Sequence, residues 1–155
     1  MEITLASTGQ VDDVTELWIE LARGQRTHGS HILPEENRST ARDAVLRHTV
    51  ADELAVAVVD RTVVGFVMFT VETGEYRQDR TRGLIRNIYV RPDDRNEGIG
   101  TALLEAAESE LADRDADRVT LEAMADNDAA RRFYRRHGYE PHRVAFEKST
   151  ESDTL

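Results

Sequence analysis

The feature that most constrains the fold is a change of apolar period between residues 54 and 111. Residues 54–59 (LAVAVV) and 63–71 (VVGFVMFTV) are apolar runs separated only by Asp60, Arg61 and Thr62, which predicts a β-hairpin. Residues 84–90 (LIRNIYV) form a third run, halted near Pro92. The period then changes. Ile99, Ala102, Leu103, Ala106, Ala107 and Leu111 recur at helical spacing and predict an amphipathic helix with one apolar stripe. A chain that alternates these two periods makes a sheet covered by helices, an α/β or α+β domain.

The flanking segments fit this plan. Residues 2–6 alternate and predict a short strand. Val11, Val14, Trp18, Leu21 and Ala22 predict a helix, with Thr8 as its N-cap and Asp12 and Asp13 at the positive end of its dipole. Residues 24–33 read as a loop, and a weakly patterned helix follows from Pro34 to about Thr49. The polar stretch 73–82 is a loop. Val119, Leu121 and Ala123 alternate as a strand. A short helix spans about 128–137, with Gly138 as its left-handed cap, then a last strand at 139–148 and a polar tail at 149–155. A chain of 155 residues fits one domain over 1–148.

The segment Arg95-Asn96-Glu97-Gly98-Ile99-Gly100-Thr101 lies between a predicted strand and the strongest predicted helix. Glycine allows positive φ and close backbone approach to a ligand. A helix N-terminus presents unpaired N–H groups and partial positive charge, which suits a phosphate. A P-loop needs a lysine after its last glycine, whereas Thr101 follows Gly100. A dinucleotide fingerprint needs a third glycine or alanine where Leu103 stands. Both alternatives fail on residue identity. A pair of glycines easing a turn into a helix is the plain structural reading.

Ile88-Tyr89-Val90-Arg91-Pro92, followed by Arg95-x-x-Gly98-x-Gly100, resembles the acyl-CoA signature of the GNAT superfamily of N-acetyltransferases. Downstream, Asn127-x-x-Ala130-x-x-Phe133-Tyr134-x-x-x-Gly138-Tyr139 is similar to the second motif of the same family. The resemblance implies a mixed, mostly antiparallel sheet flanked by helices, whose fourth and fifth strands splay apart to admit a pantetheine arm. It implies acetyl-CoA as co-substrate. The backbone around Arg95, Asn96, Gly98, Ile99, Gly100 and Thr101 would hold the pyrophosphate. Backbone groups of Ile88 and Val90 would pair with the pantetheine like an added strand. Asn127 would reach the pantetheine or cap its helix. Arg131 is expected to help bind the anionic cofactor; with Arg132, Arg135 and Arg136 it makes a basic helix whose plain reading is a solvated face.

In the same resemblance Glu122 takes the place of the general base and Tyr134 that of the general acid, a pairing similar to enzymes that acetylate protein N-termini. A carboxylate can take the proton that a neutral-pH amine carries, and a phenol can protonate the departing thiolate without bearing charge. Arg86 and Asn87 stand where many relatives carry an acid, so Glu72 or an ordered water is the next candidate for the base. Residues 24–33 and 73–82 would line the acceptor site, with His28, Glu75 and Tyr76 as candidates there. A second reading is a non-catalytic acyl-CoA-binding module, which a spoiled acid or base position beside an intact cradle would mark.

No cysteine is present, so disulfides and a cysteine-bound acyl intermediate are excluded. The histidines lack metal-ligand spacing, and no metal is expected. No apolar run approaches a membrane span and no secretory pattern opens the chain, so the expected location is cytoplasmic. The expected partners are a coenzyme A thioester and an amine acceptor, with room for a homodimer and without membrane or nucleic acid.

The net charge of −10 denies the chain the basic footprint of a nucleic-acid binder. Lys148 is the single lysine among 20 basic residues. Salt adaptation and arginine-favouring codon usage both account for this composition. They separate in salt, because repulsion among like charges is screened as the Debye length falls from about 10 Å at 0.1 M to about 3 Å at 1 M. A salt-adapted surface gives a melting temperature that rises across that range in potassium chloride; a flat or falling one assigns the composition to codon usage.

Overall fold

The computed structural model describes residues 1–151. It divides into two compact units, Met1–Met124 and a second beginning at Ala125, each described by itself. The first unit holds strands β1 (Glu2–Leu5), β2 (Leu54–Val59), β3 (Thr62–Val71), β4 (Arg82–Val90) and β5 (Arg118–Thr120). Its helices are α1 (Val11–Arg26), α2 (Arg38–Val50) and α3 (Ile99–Asp113). The second unit holds α4 (Asp128–Arg136).

The strands order as β1-β2-β3-β4-β5. The first three pairings are antiparallel, and β4 with β5 is parallel. The predicted hairpin is present. Asp60 and Arg61 both take positive φ, 49° and 64°, as a turn whose twist matches its flanking strands requires.

Helices cover both faces of this sheet. Val11, Val14 and Leu17 of α1 and Val45 of α2 form one core with Leu54, Val56, Phe66 and Met68, and Tyr89 packs against it. The alternate face meets α3, where Leu103 lies against Gly65 and Leu111 against Gly83. Phe66, Phe69, Leu103, Leu104 and Leu111 are fully buried. Full burial of such side chains is worth about 1.5–3 kcal/mol each, so these two faces dominate the stability of the first unit. Arg38 bridges Glu16 and Glu35, and Arg42 meets Asp12 at 2.9 Å, but these exposed pairs add little.

Several local expectations are corrected. Thr8 is not the N-cap of α1. It opens a 3-10 turn at Thr8–Gln10, where the Ser7 N–H donates to the Gln10 side chain at 3.0 Å. Helix α1 runs on to Arg26, shortening the predicted loop. Strand β5 ends at Thr120, because its ladder with β4 ends at the pair Leu84–Thr120 and a strand needs a partner backbone. Glu122 therefore lies in coil past β5 rather than on a strand. Residues 139–148 form no strand either. Val144 and Phe146 alternate as a strand would, yet both are exposed and no ladder among the described residues pairs this segment. The splay of β4 from β5 thus falls at the edge of the described sheet. Of the predicted tail, 149–151 carry no regular structure, and 152–155 lie outside the described residues.

Gly65 sets how closely α3 approaches. A Cβ there would lie 2.8 Å from the Tyr89 backbone oxygen and 3.1 Å from Leu103 Cδ1. Gly65→Ala is expected to destabilise the protein by about 1–3 kcal/mol, the usual cost of overpacking, read as a lowered urea midpoint with unchanged slope.

Candidate active site

The site is built on the unpaired end of β4. The strand continues to Val90, six residues past its last pairing with β5 at Leu84. The Arg91 N–H donates to the Val64 oxygen at 2.8 Å. Antiparallel alternation then directs the N–H and C=O of Ile88 and Val90 away from β3. The Val90 carbonyl accepts from Arg95 Nε at 2.8 Å on that open side. This edge can take an extended amide chain as an added strand.

Immediately after β4, a 3-10 turn at Pro92–Asp94 leads into the start of α3. Asn96 and Gly98 both have positive φ, 65° and 82°, and Gly98 is the N-cap of α3. Beyond the adjacent chain, no atom lies within 4 Å of where a Gly98 Cβ would stand. The Ala102 N–H reaches back to the Gly98 oxygen at 3.0 Å. The N–H groups of Ile99 and Gly100 belong to the first turn, which has no intrahelical acceptors. Ile99 is buried and anchors the turn, while Gly100 and Thr101 are half-buried. The open glycine, the first-turn N–H groups of Ile99 and Gly100 and the exposed strand edge follow one another along the chain, and they fit a pyrophosphate followed by a pantetheine arm. Arg95 precedes the cradle and folds its side chain back over β4. Its guanidinium lies 5.4 Å from the centre of the Tyr89 ring, and its N–H meets the Pro92 oxygen at 3.4 Å.

Glu122 is exposed in the coil after β5. Two residues on, Met124 Cε would lie 3.8 Å from a Cβ on Gly29, so the loop after α1 adjoins the segment that carries Glu122. Ile32 and Leu33 in that loop are exposed, and His28 is half-buried. Glu72 is bound to Arg82 at 2.5 Å in a largely buried ion pair. That pairing gives the carboxylate a structural partner. Glu75 and Tyr76 line a separate cavity of about 370 Å³ within the 72–82 loop.

In the second unit, Asn127 caps α4, accepting from the Ala130 N–H at 3.2 Å. Gly138 takes φ of 89°, and the Tyr139 N–H returns to the Tyr134 oxygen at 3.0 Å, which closes the helix as expected. Arg131 turns back on the approach to the helix, donating to the Ala125 oxygen at 2.8 Å. Arg132, Arg135 and Arg136 are exposed. Tyr134 packs edge-on against Phe133 and Tyr139, with centroids at 5.6 and 6.1 Å. Loss of water pushes its hydroxyl up to about 12, so the phenol remains a proton donor through the whole neutral range.

The chain matches the model of the acetyltransferase (GNAT) family over residues 12–139. It is 28% identical over 134 residues to an uncharacterized N-acetyltransferase of Archaeoglobus fulgidus, covering 86% of this chain and 89% of that one. Its fold is similar to a GCN5-related N-acetyltransferase from Ralstonia eutropha, with a TM-score of 0.76, 23% identity, and 97% and 99% of the two chains covered. It is also similar to an aminoglycoside N-acetyltransferase in complex with CoA, with a TM-score of 0.75, 17% identity, and 96% and 94% covered.

A β4 edge that opens beside a glycine-started helix is the architecture of an acyl-CoA enzyme, and the chain belongs to the GNAT acetyltransferase family. It is an acetyl-CoA-dependent acetyltransferase. Among the described residues no group of three or more His, Asp or Glu side chains is placed to hold a metal ion, and no helix is long and apolar enough to cross a membrane.

One contact has no motif behind it. Glu20 of α1 reaches the Tyr89 hydroxyl on β4 across 69 positions of sequence. The helical period marks Glu20 only as a polar position, so nothing local in the sequence signals it.

Acetyl-CoA at 100 times its dissociation constant is expected to stabilise the fold by about 2.7 kcal/mol, seen as a melting shift that NAD and ATP do not produce. Gly100→Val, which sets a side chain among the first-turn donors, is expected to abolish that shift while the protein stays folded.

Proposed function

We propose that the enzyme transfers an acetyl group from acetyl-CoA directly to a primary amine within a ternary complex, the acceptor being a protein N-terminus or a small amine. The observation that carries this reading is the open edge at Ile88 and Val90 running into the glycine-started N-terminus of α3. The lack of cysteine removes the usual covalent relay and favours direct attack. The neighbour solved with CoA acts on an aminoglycoside, an amine acceptor, which agrees with this class.

The thioester supplies the acetyl group and a thiolate to depart. The chain supplies the rest. Ile88 and Val90 align the pantetheine arm by backbone hydrogen bonds. Gly98, Ile99, Gly100 and Thr101, with Arg95 and Asn96 just before them in the chain, bind the pyrophosphate; Arg131 helps hold the anionic cofactor, and Asn127 reaches the pantetheine. Glu122 receives the amine proton, directly or through water; its exposure leaves it open to solvent exchange. Tyr134 is neutral and protonated at the pH of reaction and donates to the departing sulfur.

Tyr134→Phe is expected to cut turnover by roughly 10²–10⁴-fold while acetyl-CoA still binds. Glu122→Gln is expected to slow the reaction most at low pH, where few amines are neutral, and to recover partly as pH rises. Steady-state rates across pH, with free thiol as readout, check both. Wild-type turnover in Tyr134→Phe rejects the acid, and a wild-type pH profile in Glu122→Gln rejects the base.

A further inference from the structure

Helix α1 carries a regular series of carboxylates, Asp12, Glu16 and Glu20. The first two are exposed and paired: Asp12 with Arg42, and Glu16 with Arg38. Glu20, one turn further on, is half-buried, and among the described residues it forms no ion pair. The nearest arginine on its own helix, Arg23, is committed to Glu35. Glu20 instead turns towards the sheet, where the Tyr89 hydroxyl donates to Oε1 at 3.5 Å, the long limit of a hydrogen bond.

That arrangement leaves most of the carboxylate's hydrogen-bonding capacity unmet by the protein. A half-buried carboxylate loses part of its hydration, and one long hydrogen bond from a neutral phenol restores little of it. An ionised carboxylate offers about four lone-pair directions, of which Tyr89 takes one. Arg95 lies over the Tyr89 ring at 5.4 Å but spends its Nε on the Val90 oxygen, and it does not reach Glu20. The chain has 19 arginines available besides Lys148, yet the one inward-facing acid of α1 is left without a cation.

The position of Glu20 relates it to the open edge. Tyr89 sits on β4 between Ile88 and Val90, the two residues whose outward backbone defines the open edge. Its side chain lies on the α1 face of the sheet, opposite to the face that packs on α3. Glu20 therefore presents negative charge beside the part of β4 where the acyl group would lie.

We propose that Glu20, steadied by Tyr89, is the anionic anchor for the ammonium group of the acceptor and selects amines that carry no carboxylate next to the nitrogen. This deepens the acetyltransferase reading above and rests on it. A carboxylate two bonds from the amine nitrogen would be brought against Glu20 and repelled, whereas an amide or peptide bond at the same place is neutral. The acceptor class is thus a simple alkylamine or the amino end of a peptide, and free α-amino acids are poor acceptors. Glu20 binds the cation; removal of the proton remains with Glu122.

The test is calorimetric binding of butylammonium to the CoA-loaded protein, followed by the same measurement with alaninamide and with alanine. The wild-type protein is expected to bind butylammonium in the millimolar range and to favour alaninamide over alanine by roughly tenfold or more. Glu20→Gln is expected to weaken butylammonium roughly tenfold and to erase the preference for the amide, with its melting temperature and acetyl-CoA affinity unchanged. Glu16→Gln removes an equal charge from the outer face of the same helix and is expected to bind like wild type. In turnover, Glu20→Gln raises KM for the amine and leaves kcat and KM for acetyl-CoA near wild type, a split that a merely structural contact would not give. No butylammonium binding by the wild-type protein, equal binding by Glu20→Gln, or equal affinity of the wild type for alaninamide and alanine overturns the proposal. The last of these needs no variant to fold. If the anchor behaves as expected while no amine is acetylated, Glu20 stands as a cation site and the catalytic reading falls.

Discussion

Everything at this site depends on β4 having more backbone than β5 can pair. An antiparallel or parallel ladder leaves no choice about direction: each residue sends its N–H and C=O to one neighbour or the other. With β3 taking the groups of alternate residues of β4 on either side of one register shift at Met68/Phe69, the remaining groups need a partner on the other side. Strand β5 provides one only for Arg82–Leu84. The rest of that edge therefore carries backbone groups that β5 leaves unpaired, partly closed by the Arg95 side chain at Val90.

The same geometry explains why the glycines stand where they do. The chain leaves β4, makes one tight 3-10 turn and enters α3 within nine residues, so the helix N-terminus must be set beside the strand edge. Positive φ at Asn96 and Gly98 makes that reversal, and the empty space about Gly98 leaves the first-turn donors accessible. Gly65 and Gly83 act one layer deeper. Each lets α3 approach the sheet to a distance that a side chain would forbid. The donors of α3 and the edge of β4 are thereby held by a packed interface rather than by loop structure alone.

Electrostatics divides the acidic residues into two kinds. Most are solvated or paired with arginine, as Asp12, Glu16, Glu35 and Glu72 are, and in exposed settings such pairs contribute little to stability. Glu20 differs because burial and the lack of a cation go together. On the second unit, burial acts on a phenol instead. It holds Tyr134 in its neutral form, as the general-acid role proposed for it requires.

The sequence by itself determined the elements whose signals are local. The hairpin at 54–71, the amphipathic helix from Ile99, the cap at Asn127 and the left-handed Gly138 follow from period, turn chemistry and capping, all of which act within a few residues. The two motifs also sufficed for the family, because they combine residue identity with order along the chain. What the sequence misjudged were elements that need a partner from elsewhere. Val119, Leu121 and Ala123 alternate like a strand, as do Val144 and Phe146, but alternation states only a preference for extended backbone. Whether a ladder forms is decided by what lies alongside, and this ended β5 at Thr120 and left 139–148 unpaired. Only the tertiary structure brought Glu20 to Tyr89 and Gly29 to Met124. Those contacts span 69 and 95 positions of sequence, and no periodicity records a meeting that depends on how α1 lies across the sheet.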